Sequence, residues 1–578
     1  MKKISFIISF SIFSLLVNSS CGDNFLEKQP QGQYSPAVLK TPRGVEGALV
    51  GAYALLDGIG TSGVTDWHGA ASNWIFGSVV SDDAYKGSDA GDQPEQTFME
   101  RYVWLPSNGH LYGKWRMLYD GVARANDVLK TLPEVKEVDD TRRAQITAEA
   151  RFLRGHYHFE AKKMWNNISY ISDEVWNPND PTSVQVPNTD DAWPQIQADF
   201  QFAMETLPET QPGNLGRPTK YAAMAYLAKC HMFQAFPNGQ ADLTHLSAAK
   251  ALLDQIIASG RYKLVDNFHD NFAAETRNNA ESIFEIQYSL TASDGSGGNL
   301  GDGLTYMYPN GPGGCCGFFQ PSQNLVNAYK TDEKGLPLIA TFNDVNVKND
   351  EGVLTSEPFE PYQGSVDSRL DWTVGRRGIP FLDWGVHPGR FWIRDQSYAG
   401  PFSAKKQIVS KAESGKSGNQ RLSANNYRLL RYDHVLLWAA ECEVELGNLE
   451  QARTLVNIIR ARAAKPEGFV KNANGTPAAN YVVGLYTEPW TDPNAAREAV
   501  RFENRLEFAM EGHRFFDLVR WGIAEPVLNK YLEKERSLRT YLSGAKFEDK
   551  HRYYPIPEQA IVYSSKGGQP TLQQNPGY

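Results

Sequence analysis

The stretch EGHRFFDLVRWG, residues 511–522, places Glu511, His513 and Asp517 close together, and these are residue types of acid–base catalysis. Their spacing argues for different chemistry. Glu507, Glu511, Arg514, Asp517 and Arg520 step by four, three, three and three along one predicted helix, and opposite charges at those spacings pair. HExxH is missing, so the stretch is not that zinc motif; it reads as a structural ion-pair network. The Gly-rich loop DGSGGNLGDG (294–303) spells neither G-x-x-x-x-G-K-[ST] nor G-x-G-x-x-G. SDDAYKGSDAGD (81–92) is rich in acids but fails the D-x-D-x-D-G calcium pattern. Cys230 and Cys442 fall in helical patterns that suit buried thiols. No CxxC or Cys/His spacing suggests zinc. No metal or cofactor is expected.

The elements that must position such residues are of two kinds. The first is helical. Ile146, Ala150, Leu153, Tyr157, Ala161 and Met164 form a helical stripe. So do Tyr221, Ala225, Ala228 and Met232; Leu246, Ala249, Leu253 and Ile256; and Leu449, Ala452, Val456 and Ile459. In LLWAAECEVELGNLEQARTLVNIIRARA (436–463) one helix stops near Gly447 and Asn448, and a second starts at once. Ala440 and Ala452 have the small-residue spacing of a tetratricopeptide-type (TPR-like) hairpin. Residues 221–259 suggest another such pair, and 112–132 with the helix after Asp139 a third. The second kind is loop-rich, covering roughly 57–110, 265–425 and 465–495, with short β-type runs such as SIFEIQYS (282–289). The expected fold is therefore mainly α: a TPR-like scaffold of helical hairpins carrying long, partly β insertions, an arrangement that builds binding surfaces from loops.

The chain of 578 residues is 41% hydrophobic, enough to bury a large core. Its net charge of −9, without a long basic run, argues against nucleic acid as partner. At the N-terminus Lys2 and Lys3 precede an apolar run, Ile4 to Val17, too short to span a bilayer. Residues 1–20 read as a signal peptide. Cys21, placed after the small pair Ser19–Ser20, suggests a bacterial lipoprotein signal in which Cys21 is acylated; two or more acyl chains anchor stably. Plain secretion is the alternative.

CGDNFLEKQPQGQYS, GKWRMLYDGVARANDVL, AEARFLRGHYHFEAKKMW, NNAESIFEIQYS and ENRLEFAMEGHRFFDLVRWG, followed by YYPIP and a terminal LQQNPGY, run nearly the whole length. With them the chain resembles the SusD/RagB family of outer-membrane nutrient-binding lipoproteins. The resemblance implies an N-terminal region over 21–230 with TPR-like helices, and a C-terminal region over 265–578 that completes the scaffold. It further implies a surface-exposed, lipid-anchored protein of the outer membrane. Such a protein captures a glycan and passes it to a SusC-like TonB-dependent transporter, without catalysis. A secreted glycoside hydrolase would need two carboxylates across a cleft, and no sequence feature marks such a couple. A TPR-like scaffold that binds only protein would leave the loop aromatics without a use.

The family's shared motifs carry no ligand residues, so candidates rest on chemistry. Sugars offer apolar C–H faces to aromatic rings and hydroxyls to carboxylates. WIFGSVVSDDAYKG sets Trp74, Asp82, Asp83 and Tyr85 close together, with Trp67 seven residues before Trp74. GGCCGFFQPS (313–322) offers Cys315, Cys316 and Phe318. The adjacent cysteines form either a vicinal disulfide, a rigid knuckle between Gly314 and Gly317, or two thiols in a tight turn. LDWTVGRRGIPFLDWGVHPGRFWIRD (370–395) adds Trp372, Arg376 and Trp384, with arginine donors suited to acidic sugars or sugar hydroxyls.

Overall fold

A computed structural model describes residues 36–59, 66–290, 297–414, 416 and 419–578. The leader, Cys21 and part of the 294–303 loop lie outside these residues. About 47% of the described residues are helical, and they form three two-stranded sheets.

Helix α1 (Pro42–Ala54) packs on α2 (Gly109–Thr131) and α3 (Asp140–Trp165), and the chain continues through α4 (Trp193–Thr206), α5 (Lys220–Gln234) and α6 (Leu243–Ala258). After a long insertion it returns as α7 (Tyr432–Glu445), α8 (Leu449–Ala463) and α9 (Pro493–Phe508). From α2 to α9 each helix packs on the next, α6 directly on α7. The ends are set locally. Asn108, Asp139, Thr219, Asp242 and Asp492 each accept a backbone N–H of the first turn, satisfying donors that have no partner inside the helix. The predicted stripes face the core: Ile146, Ala150, Leu153, Tyr157, Ala161 and Met164 are all buried, as are Leu246, Ala249, Leu253 and Ile256. Ala440 and Ala452 are fully buried, and small side chains there let α7 and α8 approach. One large apolar core runs from Val45 to Leu572, through both halves of the chain.

The insertion between α6 and α7 is closed at its base by β2 (Ser282–Ile286), paired antiparallel with β6 (Tyr427–Arg431). A second sheet joins distant segments: β1 (Ala84–Gly87) pairs with β3 (Phe318–Pro321), with Ala84 opposite Pro321 and Gly87 opposite Phe318. The third joins β4 (Val374–Gly375) to β5 (Ser403–Ala404). A small separate core of Tyr306, Met307, Phe381, Trp392, Ile408 and Val409 forms within the insertion.

One expectation fails. Residues 507–520 are not one helix: α9 ends at Phe508, and α10 (Arg514–Arg520) begins after Met510 and Gly512, both at positive φ. The break lets Gly512 meet the π-helical turn Trp74–Val79. A Cβ on Gly512 would lie 1.8 Å from the Ser72 carbonyl oxygen, and one on Gly77 1.8 Å from that of Gly512. Two backbones cross where no side chain fits. Helix α11 (Ala524–Glu535) follows.

Candidate functional site

The EGHRFFDLVRWG segment is a structural ion-pair system, as its composition predicts, but its partners are mostly distant in sequence. Glu507 accepts from Arg369 (3.0 Å), Arg431 (2.7 Å) and Arg462 (2.6 Å); Glu511 accepts from Arg431 (3.0 Å) and Lys406 (2.8 Å). Arg520 forks onto Glu441 at 2.6 and 2.9 Å. Only Asp517–Arg520, at 2.8 Å, is a local pair. Arg369, Lys406, Arg431, Arg460 and Arg462 thus face Asp367, Glu503, Glu507, Glu511, Asp433 and Glu281 in the core. Burial and the adjacent Asp433 carboxylate push the Glu281 pKa well above its usual value. Burial, reinforced by nearby Lys229, lowers His513 to about 3. An imidazole held neutral in this way is no proton shuttle near neutrality.

Most of the sequence candidates are structural as well. Trp74 is wholly buried; its indole N–H donates to the Gly301 carbonyl at 3.2 Å, and its ring lies 5.7 Å from that of Phe319. Asp82 accepts two N–H groups of Arg514, at 2.8 and 3.0 Å, and lies 3.2 Å from Arg505. Burial alone would raise its pKa, but Arg505 and Arg514 outweigh it and hold the carboxyl at about 2. Asp83 takes Arg505 at 3.1 Å; burial, the larger effect, raises its pKa despite that guanidinium. The Tyr85 hydroxyl donates to Glu535 at 2.5 Å and accepts the Gln323 N–H at 3.0 Å. Phe318 is buried under Lys86, and Arg376 is buried in a fork on Asp371 at 2.6 and 2.8 Å. Trp74, Asp82, Asp83 and Tyr85 share a reason: β1 and its flanks are covered by β3 and α10, segments more than 200 residues away in sequence. Trp74, Asp82, Asp83, Tyr85, Phe318 and Arg376 therefore present no side chain to solvent. Trp67 is half-buried against the core, edge-on to His68. Trp372 is half-buried, stacked on His269 at 4.4 Å, with its N–H on the Gly468 carbonyl. Trp384 seals the small insertion core, donating to the Val409 carbonyl at 2.9 Å.

Cys315 and Cys316 are different. They are joined as a vicinal disulfide and are half-exposed. An Arg421 N–H lies 3.7 and 3.9 Å from their two sulfurs. The chain then returns to β3 through Gly317, whose carbonyl accepts the Ser88 N–H at 2.5 Å. Gly87 sits at φ 83°, and a Cβ there would come 2.5 Å from that oxygen, so glycine is required where β1 leaves the sheet.

This crossing gathers residues the sequence did not single out. Tyr308 is 36% exposed, and the Arg394 guanidinium sits 5.1 Å from its ring centre. Arg394 is fixed by Asp89 and Asp92, each at 2.7 Å, and donates to the Ser88 hydroxyl at 2.8 Å. The Asn310 amide donates to the Phe391 carbonyl at 3.2 Å, and the Phe391 ring is 50% exposed. Two exposed rings, an apolar disulfide edge, two arginines and two carboxylates thus share one surface. Rings can cover C–H faces, and the charged groups can bond to hydroxyls. Asp89 and Asp92 converge on one guanidinium rather than standing opposed across a cleft. Among the described residues no group of three or more His, Cys, Asp or Glu is arranged to hold a metal ion.

Comparison with known proteins places this architecture. The model of the SusD family matches residues 280–578, and a second, described as starch-binding associating with outer membrane, matches 25–232. The chain belongs to the SusD family. Among curated SusD-like relatives, SusD-like protein P2 of Formosa agariphila is 24% identical over 594 residues, covering 100% of this chain and 99% of its own. A SusD-like protein of Bacteroides ovatus is 23% identical over 581 residues, covering 94% and 91%. Surface glycan-binding protein A of Bacteroides thetaiotaomicron, solved in complex with laminarihexaose, has the same fold: TM-score 0.66 at 22% identity, covering 93% of this chain and 99% of that one. A SusD superfamily protein of Bacteroides vulgatus gives 0.67 at 21%, covering 93% and 99%. No helix among the described residues of this SusD-family chain is long and apolar enough to cross a membrane.

Proposed function

We propose that this SusD-family chain captures an oligosaccharide at the surface formed by Tyr308, Arg394, Phe391, Arg421 and the Cys315–Cys316 knuckle. It passes the sugar to a SusC-like TonB-dependent transporter and does not cleave it. The lipid on Cys21 holds it at the outer membrane. The observation that carries the reading is the exposed Tyr308 ring beside an Arg394 fixed by Asp89 and Asp92: a stacking face and an oriented hydrogen-bonding group on rigid support, in a family named for starch binding at the outer membrane. Binding needs such preorganised groups; glycoside cleavage needs an opposed acid and base.

The test uses the chain from Gly22 and a panel of plant, fungal, bacterial and host glycans, recording binding heat and product release in the same samples. Heat from one glycan class without products, weakened in Tyr308→Ala and Arg394→Ala, supports capture at this surface. Released products overturn it. Pull-down from outer membranes that recovers no large β-barrel overturns the transporter partnership.

A further inference from the structure

A pocket of about 510 Å³ lies away from these loops, between the outer face of α2, the segment after α3 and the C-terminal helix Glu558–Tyr563. This is within the range of small-ligand sites, roughly 300–1,000 Å³. Its walls are aromatic. Trp115 and Tyr119 lie with rings 4.7 Å apart and inclined by 30°. The Tyr119 hydroxyl is bound to the Ser169 carbonyl at 2.9 Å, and the Trp176 N–H to the Asp127 carboxylate at 2.7 Å. Their polar tips are therefore engaged with the protein, which leaves the apolar parts of the rings to line the pocket. Fixed rings lose little freedom when a ligand arrives. The rim is polar: Arg116 lies over the Tyr112 ring at 5.5 Å, and Tyr563, from the opposite side, is 71% exposed.

We propose that this pocket is a second saccharide site, taking neutral pyranose rings of an oligosaccharide. The rings stack on Trp176 and Tyr119, with their hydroxyls turned to Arg116 and the tyrosine tips at the rim. The chemistry favours a sugar over an oily ligand. A wholly apolar occupant would strip water from the charged rim without replacing its hydrogen bonds, which is costly, whereas a pyranose has an apolar face for the wall and hydroxyls for the rim. The inference rests on the carbohydrate-binding reading above and adds a site that shares none of its residues. Two sites on one chain would let a long glycan be held at two points, with the gain in retention that linkage brings.

The test titrates the chain from Gly22 with hexasaccharides of β-1,3-, β-1,4- and α-1,4-linked glucose, a mannohexaose and a xylohexaose, by calorimetry and tryptophan fluorescence. In a Tyr308→Ala/Arg394→Ala background at least one probe should still bind with fluorescence change. Adding Tyr563→Ala should weaken that residual binding roughly three- to tenfold, the worth of one aromatic contact; adding Trp176→Ala should abolish it. Tyr563 is exposed, so its loss leaves the fold intact, and matched melting curves verify this for both variants. Complete loss of binding in the Tyr308→Ala/Arg394→Ala background overturns this inference and leaves the loop-surface reading standing. Residual binding indifferent to both Tyr563→Ala and Trp176→Ala also overturns it. No binding of any probe by the unmodified chain overturns both.

Discussion

Replacing Asp82 by asparagine separates a ligand-binding carboxylate from a structural one. Asp82 receives both Arg514 N–H groups at 2.8 and 3.0 Å and stands 3.2 Å from Arg505, with all three side chains almost wholly buried. Arg505 keeps Asp83, the Asp82 carbonyl and Asn324 in the variant. Arg514 keeps no carboxylate at hydrogen-bonding distance, and its charge stays inside. Removing one partner of a buried pair costs about 3–5 kcal/mol. At roughly 2.1 cal/mol/K per residue, unfolding 578 residues as one unit has an entropy near 1.2 kcal/mol/K. Asp82→Asn should therefore lower the melting temperature by about 3–4 °C. Calorimetric melts measure it, with glycan affinity recorded alongside. The double variant Asp82→Asn/Arg514→Met removes the stranded guanidinium and should recover part of the loss, giving a measurable coupling. An Asp82→Asn chain that melts as the parent does but no longer binds glycan would refute the structural assignment.

The same carboxyl predicts an acid limb. Its folded pKa, about 2, lies below the ordinary 3.8, so its contribution is complete above pH about 4 and lost as pH falls toward 2. Urea midpoints across this range should fall less steeply for Asp82→Asn/Arg514→Met than for the parent. Gly77→Ala should destabilise by about 3 kcal/mol or more, since a Cβ there meets the Gly512 carbonyl; a melt within a degree of the parent would refute the close crossing. Intact mass after alkylation without reductant should show no label on Cys315 or Cys316, and two labels there would contradict the disulfide.

The helical frame was legible because its signal is local. The stripe Ile146–Met164 is buried as its period requires, and Gly447–Asn448 divides two helices where predicted. Which loop aromatics are covered was not legible, because covering is not local. Nothing near Trp74 or Asp82 announces Gly301, Arg505 or Arg514 as neighbours. The same distance hid Tyr308 and Arg394: TYMYPNGPGG reads as a turn with an aromatic, and only the β1–β3 pairing sets it beside Asp89 and Asp92. The break at Gly512 escaped because charge spacing continues smoothly through a segment that the backbone crossing with Gly77 keeps from being helical. The adjacent cysteines were visible as a pair, but sequence left both of their states open; the structure joins them.

The β1–β3 crossing also fixes when the loop surface comes into being. Arg394 meets Asp92 across 302 residues of chain, while the helices beneath form from neighbours in sequence. Contacts of such long span are made late, after shorter closures have reduced the search. A chain that stops before the insertion is complete can build much of its helical frame and still have no surface of this kind. The loop surface is thus a property of the finished polypeptide, and a half-made or clipped copy would lack it.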